Sequence, residues 1–215
     1  MRNNLTFIAF DTETTGLDTT DELIEIAGVK FTVNVAPTGQ FRPVLVDKFS
    51  SLIKPEKLIP AQATAINNIT DEMVEKAPSA GEVLTQFTRF CGLSSILVAH
   101  NANFDCGFIG RAIGKHRLRS LTNPVIDTLK LSKKIHPQFP SHKLGVIAKR
   151  LKNEKKIELT VESENLHRAL YDCEVLAQVF TSFLSDIIRP SDWNTKALLT
   201  ALERFHGPFL TIRND

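Results

Sequence analysis

Leu5 to Phe10 is a nearly unbroken apolar run, Leu-Thr-Phe-Ile-Ala-Phe, that stops at Asp11-Thr12-Glu13. A run so short and continuous predicts a strand buried on both faces, the central strand of a sheet. From Leu23 to Val33 the pattern turns to alternation, with Ala27, Val29, Phe31 and Val33 on one parity and Lys30 and Thr32 on the other. With Lys48 to Ile53, which closes at Pro55, this predicts a three-strand antiparallel unit. The period then becomes helical. Ser79-Ala80-Gly81-Glu82 has the form of a capping box, and Val83, Leu84, Phe87, Phe90 and Cys91 follow at helical spacing, so Ala77 to Cys91 is expected to be an amphipathic helix.

Ile96 to Ala99 repeats the buried-strand signature, and His100-Asn101-Ala102-Asn103 leads from it into a helix expected to reach Ile113, with Asn103 as its cap. Strand, turn and helix in that order suit a crossover unit. Val125-Ile126 is a third short strand candidate, Pro137 and Pro140 mark a loop between short helices, and Ala169 to Ile188 is a long helix ending before Pro190. At 215 residues the chain has the length of one α/β domain. The expected organisation is a domain over 1–186 with a C-terminal helical extension of the same domain over 187–215. No apolar run approaches a membrane span and the N-terminus has no signal-peptide pattern, so a cytoplasmic protein is expected. The three cysteines, Cys91, Cys106 and Cys173, are widely spaced and read as small buried hydrophobes.

The net charge of +2 conceals an asymmetry. Arg111 to Lys156 holds 13 Lys and Arg against Asp127 and Glu154, a local +11, and the rest of the chain carries −9. An acidic body with one basic segment suggests a polyanion partner, because Lys and Arg on phosphates release condensed counterions.

Candidate chemistry begins at the end of the first strand. Asp11 and Glu13 are two apart, so both carboxylates point to the face that carries Phe7 and Ala9, where they could share a hard cation. An isolated Asp-x-Glu is more often a cap and a surface acid, and more is needed. Thr14-Thr15-Gly16 adds hydroxyls, exposed amides and a residue suited to close backbone approach. Asp105 falls in the first turn of the helix after the second buried strand, beside the polar cluster of His100, Asn101 and Asn103. Asp172 shares a helical row with Leu176, Val179 and Phe183, so its carboxylate projects from an inward stripe, and a metal would compensate its burial. His167 lies five positions earlier, at the entry to that helix, and is a candidate general base.

These residues carry a resemblance. Asp11-Thr12-Glu13-Thr14-Thr15-Gly16, His100-Asn101-Ala102-Asn103-Phe104-Asp105 and His167-Arg168-Ala169-Leu170-Tyr171-Asp172 resemble, in order, the three motifs of the DEDDh, or DnaQ-like, 3′-5′ exonucleases. The likeness runs to about residue 185, and His-x4-Asp places it in the histidine branch. Similar stretches occur in exodeoxyribonuclease X, in proofreading exonucleases of replicative polymerases and in ribonuclease T.

The resemblance implies an RNase H-like α/β fold, a mixed five-stranded sheet with antiparallel first three strands, flanked by helices. It implies two Mg²⁺ or Mn²⁺ ions: Asp11, Glu13 and Asp172 on the first, Asp11 on the second, and Asp105 supporting the second through water. Catalysis would fall to these four acids and to His167, with Thr14, Leu17, Asn67, Asn101, Phe104 and His167 against the substrate. Asn67-Asn68 stands where many relatives have His-Gly ahead of Ile-Thr, and Asn67 can still hydrogen-bond a phosphate or base.

The expected activity is metal-dependent hydrolysis from the 3′ end of single-stranded DNA, releasing nucleoside 5′-monophosphates, in proofreading or repair. Trimming of RNA 3′ ends, a non-catalytic nucleic-acid-binding module and an RNase H-like endonuclease are the alternatives. The partners open to the chain are single-stranded DNA or RNA 3′ ends, a DNA polymerase and a second copy of itself, with no membrane.

Overall fold

Asp11-Thr12-Glu13 does not end the first strand but continues it. The computed structural model describes residues 5–158, 168–206 and 212. In it β1 (Phe7–Thr14) is the middle of five strands. β2 (Leu23–Val35) pairs with it antiparallel along its full length, from Phe7 opposite Phe31 to Thr14 opposite Leu23. β4 (Ile96–Ala99) pairs with it in parallel only from Phe7 to Ala9. The acidic half of β1 therefore hangs on β2 alone and leaves its other edge open. A bulge between Glu13 and Thr14 ends the regular register there, and bulges re-aim side chains at strand ends.

β3 (Phe41–Leu52) lies antiparallel outside β2, and β5 (Val125–Asp127) lies parallel outside β4, giving the order β3-β2-β1-β4-β5. This is the mixed α/β sheet expected. β3 begins at Phe41 rather than Lys48, because Phe41 still pairs with Val35 at the far end of β2. Its middle residues Val44, Leu45 and Val46 are exposed on an edge strand, so burial imposes no alternation there for a sequence reader to find.

The sheet has two covered faces. Ile8 and Phe10 pack against α3 (Ala80–Cys91) and α4 (Ala102–Lys115), whereas Phe7 and Ala9 pack against α5 (Thr128–Ile135), α6 (Leu144–Asn153), α7 (Ala169–Ile187) and α8 (Thr195–His206). Phe7 meets Phe31 and Phe180 with ring centroids 5.6 and 5.2 Å apart, pairs worth about 0.5–1.5 kcal/mol each beyond their burial. The capping box of α3 forms as expected, with Ser79 and Glu82 satisfying each other's amides. Two short helices, α1 (Ala61–Asn67) and α2 (Asp71–Val74), lie between β3 and α3.

Beyond α7, α8 returns to the same core through buried Leu198 and Leu202. His206 Nε2 at its end accepts the Asp127 N–H at 2.7 Å, on the edge strand β5. Cys91 and Cys173 are buried as expected, whereas Cys106 is half-exposed, and all three are free thiols. Among the described residues no helix is long and apolar enough to cross a membrane.

Candidate active site

Asp11 and Glu13 leave β1 on the parity of Phe7 and Ala9, the face crossed by α7. Asp172, in the first turn of α7, is buried at the head of a row whose next members, Leu176, Val179 and Phe183, are buried in the core. That row fixes the helix rotation, and carboxylate oxygens of Asp11, Glu13 and Asp172 come within 4.8 Å of one another.

Such a cluster is electrostatically frustrated. Burial above all, then Asp105, Asp172, Glu13 and Glu25, pushes the Asp11 carboxyl well above its ordinary range. Burial, then the charges of Asp172, Glu25 and Asp105, pushes Glu13 up to about 8, and Arg168 opposes the shift. Burial lifts Asp105 to about 7 against hydrogen bonds that favour its charged form. Three close carboxylates need either protons or a cation near neutral pH. An all-oxygen donor set without sulfur fits a hard divalent ion of the Mg²⁺ or Mn²⁺ kind.

The stability of the fold then depends on pH. The folded acids hold protons that the unfolded chain has already lost, so without metal, stability falls as pH rises from the ordinary carboxylate range through about 8. A divalent ion replaces those protons. We expect Mn²⁺ to raise the melting temperature over that of the chelated protein more at pH 8 than at pH 5.5. Equal gains at the two pH values would contradict this account of the cluster.

Asp105 arrives from the opposite face. It stands in the first turn of α4, is 2% exposed, and its Oδ1 accepts from Thr12 N at 3.0 Å and Thr12 Oγ1 at 2.7 Å. The Thr12 amide is free to donate because the β4 ladder has ended at Ala9. Asp105 thus stands outside the three-carboxylate group while its charge still acts on Asp11.

The turn before α4 differs from expectation. Its cap is Asn101, left-handed at φ 68°, and not Asn103, which lies inside the helix; the Asn101 side chain makes no capping bond. The Asn101 amide instead donates to Asp127 Oδ1 at 3.1 Å, the atom that also accepts from Leu129 N at 2.9 Å. The neighbouring His100 is turned inward. Its Nε2 donates to the His142 carbonyl at 2.8 Å, and Nδ1 lies 2.9 Å from Thr128 Oγ1. Burial, more than any other cause, holds its pKa below the ordinary value. His100 ties the turn to the loop before α6 and is engaged by the protein. Asn101 and Asn103 are exposed, and Phe104 packs on Phe108 at 4.9 Å.

After β1 the chain makes a tight loop. Asp21 accepts from the Asp18 amide at 2.8 Å, from Thr15 Oγ1 at 3.0 Å and from Lys57 Nζ at 2.5 Å. A Cβ on Gly16 would come within 2.3 Å of Asp21 Oδ2, so a side chain there would have to displace the Asp21 carboxylate from these bonds. The anchoring leaves Leu17 83% exposed at the tip. Thr14 is buried, its hydroxyl donating to the Gly16 carbonyl.

Asn67, expected to lie against the substrate, has a buried side chain. It is 2% exposed, its Nδ2 donates to the Thr14 carbonyl at 3.4 Å, and its Oδ1 accepts from Ile69 N at 3.0 Å. In this arrangement its carboxamide braces Thr14, and the exposed neighbour is Asn68, left-handed at φ 57°. His167 lies outside the described residues; by sequence it directly precedes Arg168, the residue before α7.

Sequence reasoning missed Glu25, Arg168, Thr12 and Asp127. Glu25, opposite Glu13 on β2, binds the Arg168 guanidinium and the Ala169 amide. One signal was present, since Glu25 is an acid on the same parity as Ala27, Val29 and Phe31, which face the core.

Residues 8–180 match the model of the exonuclease family RNase_T. The PolC-type DNA polymerase III of Bacillus subtilis is 37% identical over 183 residues, and that of Bacillus cereus 38% over 184. Each match takes in about 85% of this chain but 12% of the polymerase, so the chain spans only a small part of these relatives' length. Exonuclease X in complex with 5′-overhanging duplex DNA is 26% identical with a TM-score of 0.60, over 91% of this chain and 98% of that one. Escherichia coli exonuclease I in complex with a dT13 oligonucleotide shares the fold at 17% identity, TM-score 0.64, over 84% of this chain and 41% of that one.

Proposed function

The chain belongs to the exonuclease family, and on that premise we propose that it hydrolyses single-stranded DNA from the 3′ end, releasing nucleoside 5′-monophosphates, with two Mg²⁺ or Mn²⁺ ions. The observation that carries the reading is the group of Asp11, Glu13 and Asp172, gathered from two elements at the open end of β1. Asp11, Glu13 and Asp172 would hold one ion, and Asp11, with Asp105 behind it, the other. When bound, the ions supply Lewis-acid stabilisation of the attacking and leaving oxygens.

The protein's own groups do the rest. The exposed Leu17 on its anchored loop, with Thr14 beneath it, frames the terminal nucleotide; Asn101 and Phe104 border it from the α4 side. His167 accepts the proton of the attacking water at an imidazole nitrogen, because the carboxylates are committed as ligands and an imidazole titrates near neutrality.

DNA is favoured over RNA because the relatives at 37–38% identity are DNA polymerases and the structure matched over nearly its whole length holds DNA. The same relatives suggest work beside a polymerase, in proofreading or repair. A 3′-exonuclease that recognises a histone mRNA stem-loop shares the fold at 17% identity. Matched DNA and RNA strands of one sequence, given in parallel, decide the point. We expect faster turnover of DNA, and preferred turnover of RNA would overturn that choice.

The basic segment supplies the strand's track. Lys115 is bridged to Glu22 and Glu56, and Arg150 and Lys156 to Glu154. Lys130, Lys133, Lys134 and Lys143 are exposed on α5 and at the start of α6. Replacing these four by Gln is expected to weaken strand binding and to reduce the slope of log K against log salt by roughly 0.7 for each single-strand phosphate no longer neutralised. Turnover at saturating strand should change less. An unchanged slope would show that this face is merely solvated.

A further inference from the structure

Glu25 is an acid placed where a fourth negative charge harms the cluster. It sits across the strand pair from Glu13, and its charge helps push the carboxyls of Asp11 and Glu13 upward. Its side chain is 3% exposed, yet among the described residues its side-chain hydrogen bonds all point to the start of α7. Oε1 accepts from Arg168 Nη2 at 3.0 Å, and Oε2 from Arg168 Nε at 3.3 Å and from the Ala169 amide at 3.1 Å. Forked Arg–carboxylate pairs fix geometry as well as charge. The first amide of a helix is one of its orphan donors, and α7 has no side-chain cap of its own.

Resting on the metal-dependent reading above, we propose that Glu25 and Arg168 are positioning residues that lock the first turn of α7 onto β2. The clamp sets the spacing of Asp172 from Asp11 and Glu13, and it holds the chain one residue after His167. Neither residue need touch the substrate or an ion. Glu25 belongs to the strand that carries β1's acidic half, so one carboxylate ties α7 to the neighbour on which Asp11 and Glu13 are held.

The test is calorimetric titration of Mn²⁺ into the intact protein and into Glu25→Gln, Arg168→Gln and the double variant, with melting temperatures measured alongside. Groups that orient ligands typically change metal affinity by about 10- to 100-fold when removed. Both single variants are expected to bind Mn²⁺ about 10-fold more weakly, with kcat reduced and KM for the strand unchanged. The double variant should be little worse than either, since both remove the same interaction. Arg168→Lys should recover part of the affinity.

Charge alone predicts a different pattern. Removing Glu25's negative charge would weaken cation binding, but removing Arg168's positive charge would strengthen it. Tighter Mn²⁺ binding by Arg168→Gln, or wild-type affinity in a folded variant with a lowered melting temperature, overturns the proposal. If Glu25→Gln does not fold, the half-exposed Arg168 decides alone. Failure of the unaltered protein to bind Mn²⁺ would instead overturn the metal-dependent reading itself.

Discussion

Asp11→Asn is expected to reduce cleavage by about 10³-fold or more while the folded protein becomes more stable in chelator. Asp11 stands at the centre of the acidic group, with its carboxyl raised by burial first and by four neighbouring acids after it. The isosteric amide removes a shared ligand for both proposed ions, and losing about 4 kcal/mol of transition-state stabilisation corresponds to roughly 10³-fold in rate. The same change relieves repulsion that the metal-free fold must bear, so the variant should melt at or above the temperature of the chelated wild type. Single-turnover rates with Mg²⁺ and melts with chelator check the two halves. A stable variant that retains wild-type turnover would remove Asp11 from the site.

His167→Ala is the second large effect. General-base catalysis contributes about 10²- to 10⁴-fold, and the variant should lose that factor in kcat with Mn²⁺ affinity and KM for the strand nearly intact. Under single-turnover conditions the acidic limb of the pH–rate profile should also flatten. Asp172→Ala should behave differently and weaken metal binding, because Asp172 belongs to the carboxylate group proposed to hold the ions. If His167→Ala keeps the wild-type rate and pH profile, the residue is only structural at the entrance of α7 and the base lies elsewhere.

Parity and helical spacing are enough to place the central acids. Asp11 and Glu13 share a face with Phe7 and Ala9 in any strand, and Asp172 must follow Leu176, Val179 and Phe183 inward in any helix. What brings those two faces together is tertiary packing, on which parity and spacing are silent and only the family resemblance speaks. The Glu25–Arg168 pair joins residues 143 apart and depends on which β2 residue falls opposite Glu13. The family resemblance puts Asp105 near the other acids, but its bond to the Thr12 amide exists because the β4 ladder stops at Ala9, a register that no local pattern encodes.

Polar side chains are harder to assign than acids. Asn67 and His100 have the residue types of ligand contacts, and hydrogen bonds within the protein engage both. A carboxamide or imidazole serves a buried turn as well as a phosphate, so residue type alone does not separate the two. Asn103 has a side chain able to cap a helix, whereas the backbone places Asn101 at the cap in a left-handed conformation held by Asp127. The basic segment is visible as composition, but only the ion pairs of Lys115, Arg150 and Lys156 distinguish internal charges from those left for a strand.

The most direct test of a metal-dependent exonuclease built on Asp11, Glu13 and Asp172 is a time course on a 5′-labelled single-stranded DNA with Mg²⁺, resolved to single nucleotides. The account predicts a ladder that shortens from the 3′ end one nucleotide at a time, is absent with excess chelator and is absent in Asp11→Asn. Internal fragments without a ladder, cleavage of a circular strand, or undiminished degradation in chelator would contradict it.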